Sequence, residues 1–477
     1  MALRRRTKIV ATVGPATAGR AGLGGLIRAG ADCLRFNFSH GTHREHLKGM
    51  GDARAEARKV GREVALLADL CGPKIRTGAG PEEGVRLKKG SRVDLVPGSK
   101  KTDAGSIGVS YRPLAREVRK GQRVLLADGR LELVVESVRG GRVRTRVVKG
   151  GVLGSHKGVN LPGARLSTPA LTAKDRRDLK AASRGRPDYV ALSFVRGPAD
   201  LVACRRAMRA AGLGAAGLIA KIEKPEALDC VDAIMAECDG IMVARGDLGV
   251  EMRPEEVPGA QRDLVSRAAR SDHLCIVATE MFESMVSSSR PTRAEVTDVA
   301  AAVQQGTDAV MLSAETSVGR YPGEAVRAMG RVLAATERNL LASGELATAA
   351  SFEAGGGVTD VLAVGARLIG REVGDAVFVA ATESGRTAMF LSKSRPGPVI
   401  LGMSPSEQAL RRMALYWGVL PVASRSYRRH QQLILAAERV AVKIAGARRG
   451  DYVVVLSGTP LGVSGNTNTL HLRRIGG

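Results

Sequence analysis

The sequence contains few aromatic residues and lacks any long charge-free apolar run. Aromatic residues make up 3% of the chain, so stacking platforms for single-stranded nucleic acid are scarce. Because a membrane span needs roughly 18 apolar residues in a row, we expect no membrane partner. The apolar run that follows the basic start MALRRR is also too short and too strand-like for a secretory signal.

The six cysteines are scattered along the chain. They include no CxxC pair and no Cys/His cluster at zinc spacing. A reducing, cytoplasmic location fits this pattern best, since disulfides belong mainly to oxidising compartments. The cysteines stand at positions 33, 71, 204, 230, 238 and 275.

The net charge is strongly positive, at +26. One interpretation is nucleic-acid binding, since Lys and Arg neutralise phosphates and release counterions. The other is an Arg-rich composition spread over solvated faces, which the dispersed arginines and the lack of a long basic tail favour. We therefore expect no nucleic-acid partner, although such a charge would attract anionic metabolites.

Eight short apolar runs recur along the chain, and a polar or glycine-containing end and then a helical pattern follow each of them. Continuous apolar strands that alternate with helices predict a parallel sheet covered on both faces. Eight such units predict a closed (β/α)8 TIM barrel of the α/β class. The runs are KIVATVG (8–14), ADCLRFNFSH (31–40), VALLADL (64–70), DYVALSFV (188–195), GLIAKIE (217–223), DGIMVARG (239–246), HLCIVATEM (273–281) and DAVMLSAE (308–315).

The length of 477 residues leaves room for two or three domains. Between the third and fourth runs the pattern changes to alternation with Gly-rich turns, which predicts a small antiparallel β-barrel or sandwich inserted after the third strand. After a linker of small residues at 344–357, four further apolar runs predict a C-terminal open-sheet α/β domain. The predicted domains are barrel 1–72, inserted β domain 73–169, barrel 170–344 and C-terminal α/β domain 357–477, and the family resemblance described below implies that the last of them is regulatory.

In a TIM barrel the working residues lie at the carboxyl ends of the strands. Lys221 and Glu223 are two residues apart on one strand, so their side chains face the same way. They could form a structural ion pair, but desolvation offsets much of the attraction in a buried pair, so a working pair is favoured. The polar residues at the strand ends are Arg35, Asn37, Ser39, Asp69, Ser193, Lys221, Glu223, Arg245, Asp247, Thr279, Ser313 and Glu315.

Asp247 follows a glycine-flanked turn at a predicted helix start. Alone it could be an N-cap, but together with Glu223 it predicts a site for Mg²⁺ (or Mn²⁺). Arg35, Arg76 and Lys221 would then form a cationic clamp, and phosphoryl transfer depends mainly on positioning and charge neutralisation. The residues by themselves therefore predict a Mg-dependent barrel enzyme that acts on a small phosphorylated acid.

The chain resembles the pyruvate kinase family in long motifs that occur in order from Thr7 to about Leu470. They include TKIVATVGP, LRFNFSHG, GPKIRTG, KGVNLPG, KIEKPEAL, DGIMVARGDLGVE, SRPTRAEVTDVA and GTDAVMLSAETSVGRYPGEAV, and later SGRTA, SKSRP, GVLP and SGTPLGVSGNTNTL. The resemblance implies phosphate transfer from phosphoenolpyruvate to ADP, which gives pyruvate and ATP in glycolysis.

The resemblance also implies roles for individual residues. Thr279 and Ser313, taken singly, would be structural hydroxyls, and His40 could equally be a structural hydrogen-bonder. The inserted domain would be a lid that excludes water from the reaction. The implied residues are catalytic Lys221, Arg35, Arg76, Thr279, Ser313 and Glu315; substrate-binding Arg35, Lys221, Gly246, Asp247 and Thr279; nucleotide-binding Asn37, His40, Arg76, Lys157 and Asn160; and metal-binding Glu223 and Asp247.

Lys74 departs from a common pattern of the family. Many members have a glutamate here and bind potassium with residues that match Asn37, Ser39 and Asp69. In the family, a lysine at this position accompanies potassium independence, since a tethered ammonium supplies the charge of the ion. We therefore expect that potassium is not required and that Asp69 is the counter-charge of Lys74; the alternative is a surface lysine on the turn.

The C-terminal domain carries a candidate site for an allosteric effector. The loop ATESGRTA follows a predicted strand and begins a helix, where backbone N–H groups can hold a phosphate. A turn that caps the helix is an equal alternative. The resemblance implies a phosphorylated effector at Thr382, Ser384, Arg386 and Thr387, and a homotetramer.

Two departures and two rival functions remain. Val318 replaces a common lysine, which removes one nucleotide contact, and Glu280 replaces a frequent glutamine. A lyase or aldolase of phosphoenolpyruvate chemistry would share the metal-binding carboxylates but not the RFNFSHG and GPKIRTG motifs. A basic nucleic-acid-binding protein would explain the charge but not the polar strand ends.

Overall fold

The computed structural model describes residues 5–164, 166–345, 357–373, 376–463 and 465–476. Most of the predicted linker at 344–357 lies outside these described residues. The chain begins with three strands and two helices. They are β1 (Lys8–Val13), α1 (Gly19–Ala29), β2 (Cys33–Asn37), α2 (His43–Val60) and β3 (Ala65–Asp69).

Two small sheets follow β3. They are formed by β4 (Val85–Leu87), β5 (Arg92–Pro97), β6 (Ser106–Val109), β7 (Arg123–Leu126), β8 (Leu131–Arg139), β9 (Arg142–Lys149), β10 (Gly151–Leu153) and β11 (Val159–Asn160), with a short helix α3 (Leu114–Glu117). Six strands pair in the order β11–β7–β8–β9–β5–β6, and β10 pairs with β4. We call them together the inserted unit.

Alternating exposed and buried positions, clearest along β9, give the inserted unit its own apolar core. The expectation of purely antiparallel strands is wrong for one pair, because β5 and β6 run parallel. The reason is local: the chain between them makes isolated bridges at Lys101 and Thr102 instead of a tight hairpin. The boundaries 73 and 169 stay a prediction.

The chain then returns to the barrel and alternates strands with helices. The strands are β12 (Tyr189–Leu192), β13 (Gly217–Ile222), β14 (Gly240–Ala244), β15 (Leu274–Ala278) and β16 (Ala309–Leu312). The helices are α4 (Ala173–Ala182), α5 (Pro198–Ala210), α6 (Pro225–Leu228), α7 (Val231–Met235), α8 (Arg245–Glu251), α9 (Val257–Ala269), α10 (Arg293–Gln304), α11 (Ala314–Ser317) and α12 (Pro322–Ala342), with 3-10 turns at Ser183–Gly185, Pro254–Glu256 and Glu283–Val286.

The eight predicted strands close into a parallel barrel in the order β1–β16–β15–β14–β13–β12–β3–β2. Closure is visible at β1, where Lys8 pairs in register with Ala309 of β16 and Val10 pairs with Cys33 of β2. The barrel prediction is thus confirmed. Because all eight strands run the same way, their carboxyl ends meet at one mouth, where a barrel of this kind holds its site. None of the described helices is long and apolar enough to cross a membrane.

The C-terminal unit is an open α/β sheet, as predicted. Its elements are α13 (Val358–Glu372), β17 (Ala376–Ala381), α14 (Arg386–Lys393), β18 (Ile400–Ser404), α15 (Glu407–Met413), β19 (Val419–Ala423), α16 (His430–Val440), a π-helix (Ala441–Ala445), β20 (Tyr452–Gly458) and β21 (Thr467–Arg474). The order is β19–β18–β17–β20–β21, and β21 is antiparallel to β20. β21 was not predicted from the sequence, because this partly exposed, largely polar edge strand has no apolar run.

The C-terminal unit packs on the end of the barrel opposite to the mouth. Lys8, at the start of β1, donates from Nζ to Val419 O at 2.7 Å. Arg411 pairs at 3.0 Å with Asp188, which directly precedes β12. These contacts involve the amino ends of barrel strands, so any influence of the C-terminal unit on the mouth must pass through the barrel.

Candidate active site

A buried ion cluster lies at the barrel mouth, at the ends of β2, β3 and β13. Arg35 Nε lies 2.6 Å from Asp69 Oδ2, and Lys221 Nζ lies 3.3 Å from Asp69 Oδ1. Lys221 Nζ also lies 2.8 Å from Glu223 Oε1 and donates to Ser193 Oγ at 2.8 Å. The fold thus brings four residues predicted from the sequence into direct contact. We call Arg35, Asp69, Lys221 and Glu223 the mouth cluster.

Burial and charge oppose each other within the mouth cluster. Burial tends to raise the pKa of Asp69, but Lys221 and Arg35 hold it below its usual value. Burial tends to lower the pKa of Lys221, but Asp69 and Glu223 raise it above its usual value. Lys221 is therefore a cation at neutral pH, suited to neutralising a substrate anion rather than to donating a proton.

Glu223 and Asp247 are the acidic side chains suited to a divalent metal ion. Burial raises the pKa of Glu223, Lys221 opposes this, and the negative charge of Asp247 raises that pKa further, so the two carboxylates repel each other. A divalent cation would relieve this repulsion, and carboxylate oxygens are the donors that Mg²⁺ accepts. Because the described residues contain no group of three or more metal-binding side chains, substrate and water oxygens would complete the coordination.

The start of α8 approaches the end of β15 closely. Gly246 N donates to Thr279 Oγ1 at 2.7 Å, and a Cβ atom at position 246 would lie 3.4 Å from that oxygen. That distance is an ordinary van der Waals contact, so the contact does not by itself require glycine. The predicted substrate-binding residues Gly246 and Thr279 are consequently in contact, and Asp247 follows Gly246 directly on α8.

Arg245 supports the turn after β15. Thr279 and Glu280 both have positive φ, at 69° and 54°, which is uncommon for residues other than glycine. The Arg245 guanidinium donates to Thr279 O at 2.7 Å and pairs with Asp298 at 2.7 Å. Sequence reasoning noted Arg245 at a strand end but gave it no role. Its role in the structure is to hold the carbonyl that this conformation exposes.

Glu315 contacts backbone groups with both of its carboxylate oxygens. Its Oε2 accepts from Ser313 N at 2.6 Å and its Oε1 accepts from Phe282 N at 3.0 Å. The side chain is fully buried, and burial raises the pKa of Glu315 although these N–H groups oppose the shift. Glu315 thereby holds the backbone of Ser313, whose Oγ is buried and has no hydrogen-bond partner among the described residues, and a catalytic role for Glu315 stays a prediction.

A cavity of about 290 Å³ separates the barrel mouth from the inserted unit. Of the predicted nucleotide-binding residues, Arg76, Lys157 and Asn160 line it, and Asp247 lines it from the barrel side. Arg76 and Lys157 are exposed, which leaves their cationic side chains accessible to an anion. The inserted unit thus presents positive charge to the helix that carries Asp247.

The loop after β2 holds the other two predicted nucleotide-binding residues. Asn37 Oδ1 accepts from Ser39 N at 3.1 Å, which fixes the turn. Burial lowers the pKa of His40, and the nearby charges of Lys74 and Arg76 lower it further. Asn37 and His40 are not among the described residues that line the cavity, but His40 lies close enough to Lys74 and Arg76, which do line it, for their charges to affect its pKa.

The structure corrects the predicted pairing of Lys74 with Asp69. Asp69 is 1% exposed and pairs with Arg35 and Lys221, whereas the Lys74 side chain is exposed and lines the cavity. The reason is that neighbouring barrel strands deliver Arg35 and Lys221 to Asp69, while the chain leaves the barrel before it reaches Lys74. Among the described ion pairs, none joins Lys74 to Asp69.

Comparison with known proteins agrees with this architecture. The family model described as "Pyruvate kinase, barrel domain" matches residues 4–326, and "Pyruvate kinase, alpha/beta domain" matches residues 360–472. The chain is 40% identical to a pyruvate kinase of Agrobacterium vitis, over 99% of this chain and 97% of that protein. It is also 40% identical to a pyruvate kinase of Mycobacterium tuberculosis (strain H37Rv), over 99% of both chains.

The chain belongs to the pyruvate kinase family. It is accordingly a phosphotransferase, and pyruvate kinases depend on a divalent metal ion. A pyruvate kinase of Clostridium acetobutylicum is 37% identical over 98% of this chain and 99% of that protein. The matches cover barrel, inserted unit and C-terminal unit alike, so the lyase and nucleic-acid-binding alternatives are set aside.

In this pyruvate kinase the four predicted effector residues surround one small cavity of about 50 Å³ in the C-terminal unit. Thr382 Oγ1 accepts from Gly385 N at 3.0 Å, and Thr387 Oγ1 lies 2.6 Å from the hydroxyl of Thr467. Arg386 Nη2 lies 3.7 Å from Asp272 of the barrel. Ser384 also lines the cavity, so all four residues are brought together.

The roles of several residues near the mouth were not predicted from the sequence. Ser193 was noted at a strand end without a role, and the structure shows it holding the Lys221 ammonium. Lys224 and Glu251 were not singled out, yet they form a buried pair at 2.6 Å beside the cavity. The available signal was their spacing: Lys224 follows Glu223 directly, and Glu251 lies four residues after Asp247 on the same helix.

Proposed function

We propose that the barrel mouth transfers the phosphoryl group of phosphoenolpyruvate to ADP and that the mouth cluster performs this step. The observation that carries the proposal is the position of Lys221, whose ammonium is held between Asp69 and Glu223 at 3.3 and 2.8 Å. A buried, permanently charged lysine beside two carboxylates is suited to a trianionic substrate, and phosphoryl transfer depends on such charge neutralisation.

The mouth cluster divides the work among its residues. Lys221 and Arg35 contact the phosphoryl oxygens, and Lys221 also stabilises the enolate that remains after transfer. We assign the orientation of the substrate carboxylate to the Gly246 N–H and the Thr279 hydroxyl, which lie 2.7 Å apart where α8 begins and β15 ends. Mg²⁺ or Mn²⁺ held by Glu223 and Asp247 would neutralise negative charge on phosphate oxygens when bound.

Ser313 lies in the region that handles the proton delivered to the enolate. Its Oγ is buried and has no hydrogen-bond partner in the described part of the chain, so it is available to a substrate or to a water molecule. Glu315 holds the Ser313 backbone at 2.6 Å. We assign Ser313 to the proton relay and Glu315 to its positioning.

ADP occupies the region between the mouth and the inserted unit. Arg76 and Lys157 line the cavity there and supply positive charge for the phosphates, and we assign Asn37, at the end of β2, and His40, in the loop after it, to the same nucleotide. The inserted unit covers the reacting groups as a lid, which keeps water from accepting the phosphoryl group.

The decisive experiment is an assay of pyruvate formation from phosphoenolpyruvate, ADP and Mg²⁺. We expect Lys221→Met to lower kcat by roughly a thousandfold, since one electrostatic stabiliser of a transition state contributes about 10²–10³ in rate. Lys180→Met, an exposed lysine on α4, is the matched control and should retain full activity. Equal activity of both variants would contradict the assignment.

Three finer points belong to the same proposal. Potassium is not required, because Lys74 brings a fixed positive charge to the cavity wall beside Arg76. A phosphorylated effector binds at Thr382, Ser384, Arg386 and Thr387. The enzyme works in the cytoplasm, where its six free cysteines, all in the described part of the chain, remain reduced.

We also propose that the enzyme is a homotetramer. One face of α13 is apolar and exposed: Val358 is 62% exposed, Val361 57% and Leu368 51%. Exposed apolar side chains at helical spacing on one face are typical of an interaction surface. Leu472 on the adjacent edge strand β21 extends this surface, which suits contact with a second copy of the chain.

A further inference from the structure

A three-residue contact joins the inserted unit to the barrel beside the cavity. Glu251 Oε1 accepts from Lys224 Nζ at 2.6 Å and from Asn160 Nδ2 at 2.9 Å. The Glu251 side chain is 1% exposed and that of Lys224 11%. Asn160 belongs to the inserted unit, whereas the other two residues belong to the barrel. We call this contact the junction.

The junction is built onto the elements that carry the proposed metal ligands. Glu251 and Asp247 are four residues apart on α8 and therefore lie on the same face of the helix. Lys224 directly follows Glu223 in the chain. Any movement of the inserted unit that pulled Asn160 away would leave a buried carboxylate with one donor fewer, which is costly.

A second contact fixes the inserted unit where its chain returns to the barrel. Arg196, which follows β12, donates from its guanidinium to Leu166 O and to Thr168 O, the latter at 2.8 Å. This contact anchors the returning segment but lies outside the inserted sheets. The junction is thus the described side-chain hydrogen bond that ties the sheet itself to α8.

Glu251 orients the side-chain amide of Asn160 through this hydrogen bond. Its Nδ2 donates to a carboxylate, and hydrogen bonds to an ionised acceptor are roughly twice as strong as neutral ones. The bond uses one of the two Nδ2 hydrogens and turns the amide toward the barrel. The contact thus gives Asn160 a barrel partner that the expected nucleotide-binding role did not include.

We propose that the Asn160–Glu251 hydrogen bond, supported by Lys224, sets the position of the inserted unit over α8. It holds Arg76 and Lys157 across the cavity from Asp247, so Asn160 and Glu251 are positioning residues for phosphoryl transfer. The proposal rests on the proposed function, because it concerns the geometry of the same reaction.

Two substitutions that exchange the amide and the carboxylate of Asn160 and Glu251 test the junction. Asn160→Asp sets a second carboxylate against Glu251, and it should lower kcat/KM for ADP about tenfold or more, since small misplacements in a reacting geometry can cost about 10²-fold. In Asn160→Asp combined with Glu251→Gln, the new amide donates to the new carboxylate and Lys224 keeps an anionic partner. We expect the double variant to recover to within about threefold of the unmodified enzyme.

A second measurement separates positioning from a loss of folding. A displaced lid admits water, so phosphoenolpyruvate should be hydrolysed in the absence of ADP. In Asn160→Asp, the ratio of this phosphate release to the pyruvate kinase activity should rise several-fold. In the double variant, the ratio should return to that of the unmodified enzyme. Asn160→Ala removes the bond without adding charge and should show the same change to a lesser degree. Asn339→Asp, an exposed position on α12, is the matched control.

The outcomes are distinct. If Glu251→Gln fails to rescue Asn160→Asp while circular dichroism shows a folded protein, Asn160 acts on the nucleotide directly and the proposal is wrong. Unchanged kinetics in all the position-160 variants would also overturn it. An unmodified enzyme that makes no pyruvate from phosphoenolpyruvate and ADP would instead overturn the proposed function itself.

Discussion

Lys393 of α14 lies 2.5 Å from Asp308, which directly precedes β16, and both side chains are almost completely buried. Arg395 contacts the other oxygen of Asp308 at 2.8 Å and stacks over Trp417 at 4.3 Å. Asp308 Oδ2 also accepts from Cys275 N. A single buried carboxylate of the barrel thus holds two cations of the C-terminal unit.

Removing Lys393 should weaken the contact between the barrel and the C-terminal unit. We expect Lys393→Met to lower the free energy of unfolding by about 3 kcal/mol, because loss of one partner leaves a buried charge incompletely paired. Denaturant unfolding of this variant beside Lys180→Met measures the effect. A shift no larger than that of the exposed control would show that Arg395 alone satisfies Asp308.

Lys74 should make the enzyme independent of potassium. Its ammonium lines the cavity wall and brings a charge that a bound ion would otherwise supply. We expect the same kcat in sodium buffer with and without potassium chloride. Lys74→Glu should create a potassium requirement, whereas Lys74→Met should lower activity in both buffers. Strong stimulation of the unmodified enzyme by potassium would refute the proposal.

Arg386 should be required for activation by a phosphorylated effector. It borders the cavity in the C-terminal unit, and its guanidinium is partly exposed. Titration with a hexose phosphate and with a nucleoside monophosphate should lower the phosphoenolpyruvate concentration needed for half-maximal rate. Arg386→Ala should lose this response and keep its basal rate, while Arg331→Ala, an exposed arginine on α12, should respond normally. An intact response in Arg386→Ala would remove the site.

Lys8 should make stability depend on pH between about 8 and 10. Burial lowers the pKa of Lys8 to about 8, and Asp32 only partly opposes this. The unfolded chain, with a lysine pKa of roughly 10.4, then holds more protons than the folded chain over this range, so stability increases as pH rises. At about 1.4 kcal/mol per pKa unit, the full gain is roughly 3 kcal/mol.

Lys8→Met removes this proton and so tests the assignment. The unmodified enzyme should gain stability relative to Lys8→Met as the pH rises from 7 to 10, measured as the difference in unfolding midpoint. Using the difference cancels the titration of cysteines and other lysines. Parallel curves for the two proteins would show that Lys8 stays charged in the folded state.

Local pattern predicted the elements that depend on local physics. Continuous apolar runs such as that of β3 identified the barrel strands, because strands buried on both faces cannot alternate polar and apolar residues. The two-residue spacing of Lys221 and Glu223 likewise predicted their common face. The edge strand β21 was not predicted, because its largely polar, partly exposed side chains form no continuous apolar run.

The sequence by itself determined which residues stand at the strand ends and hence which chemistry the mouth can support. Only the tertiary structure decided which of these residues contact each other. Asp69 contacts Arg35 and Lys221 instead of Lys74, and Glu251 of the barrel accepts a hydrogen bond from Asn160 of the inserted unit. The physical reason is range. Periodicity reports on neighbours within a few residues, whereas ion pairs and hydrogen bonds form between whichever groups barrel closure brings within about 3 Å.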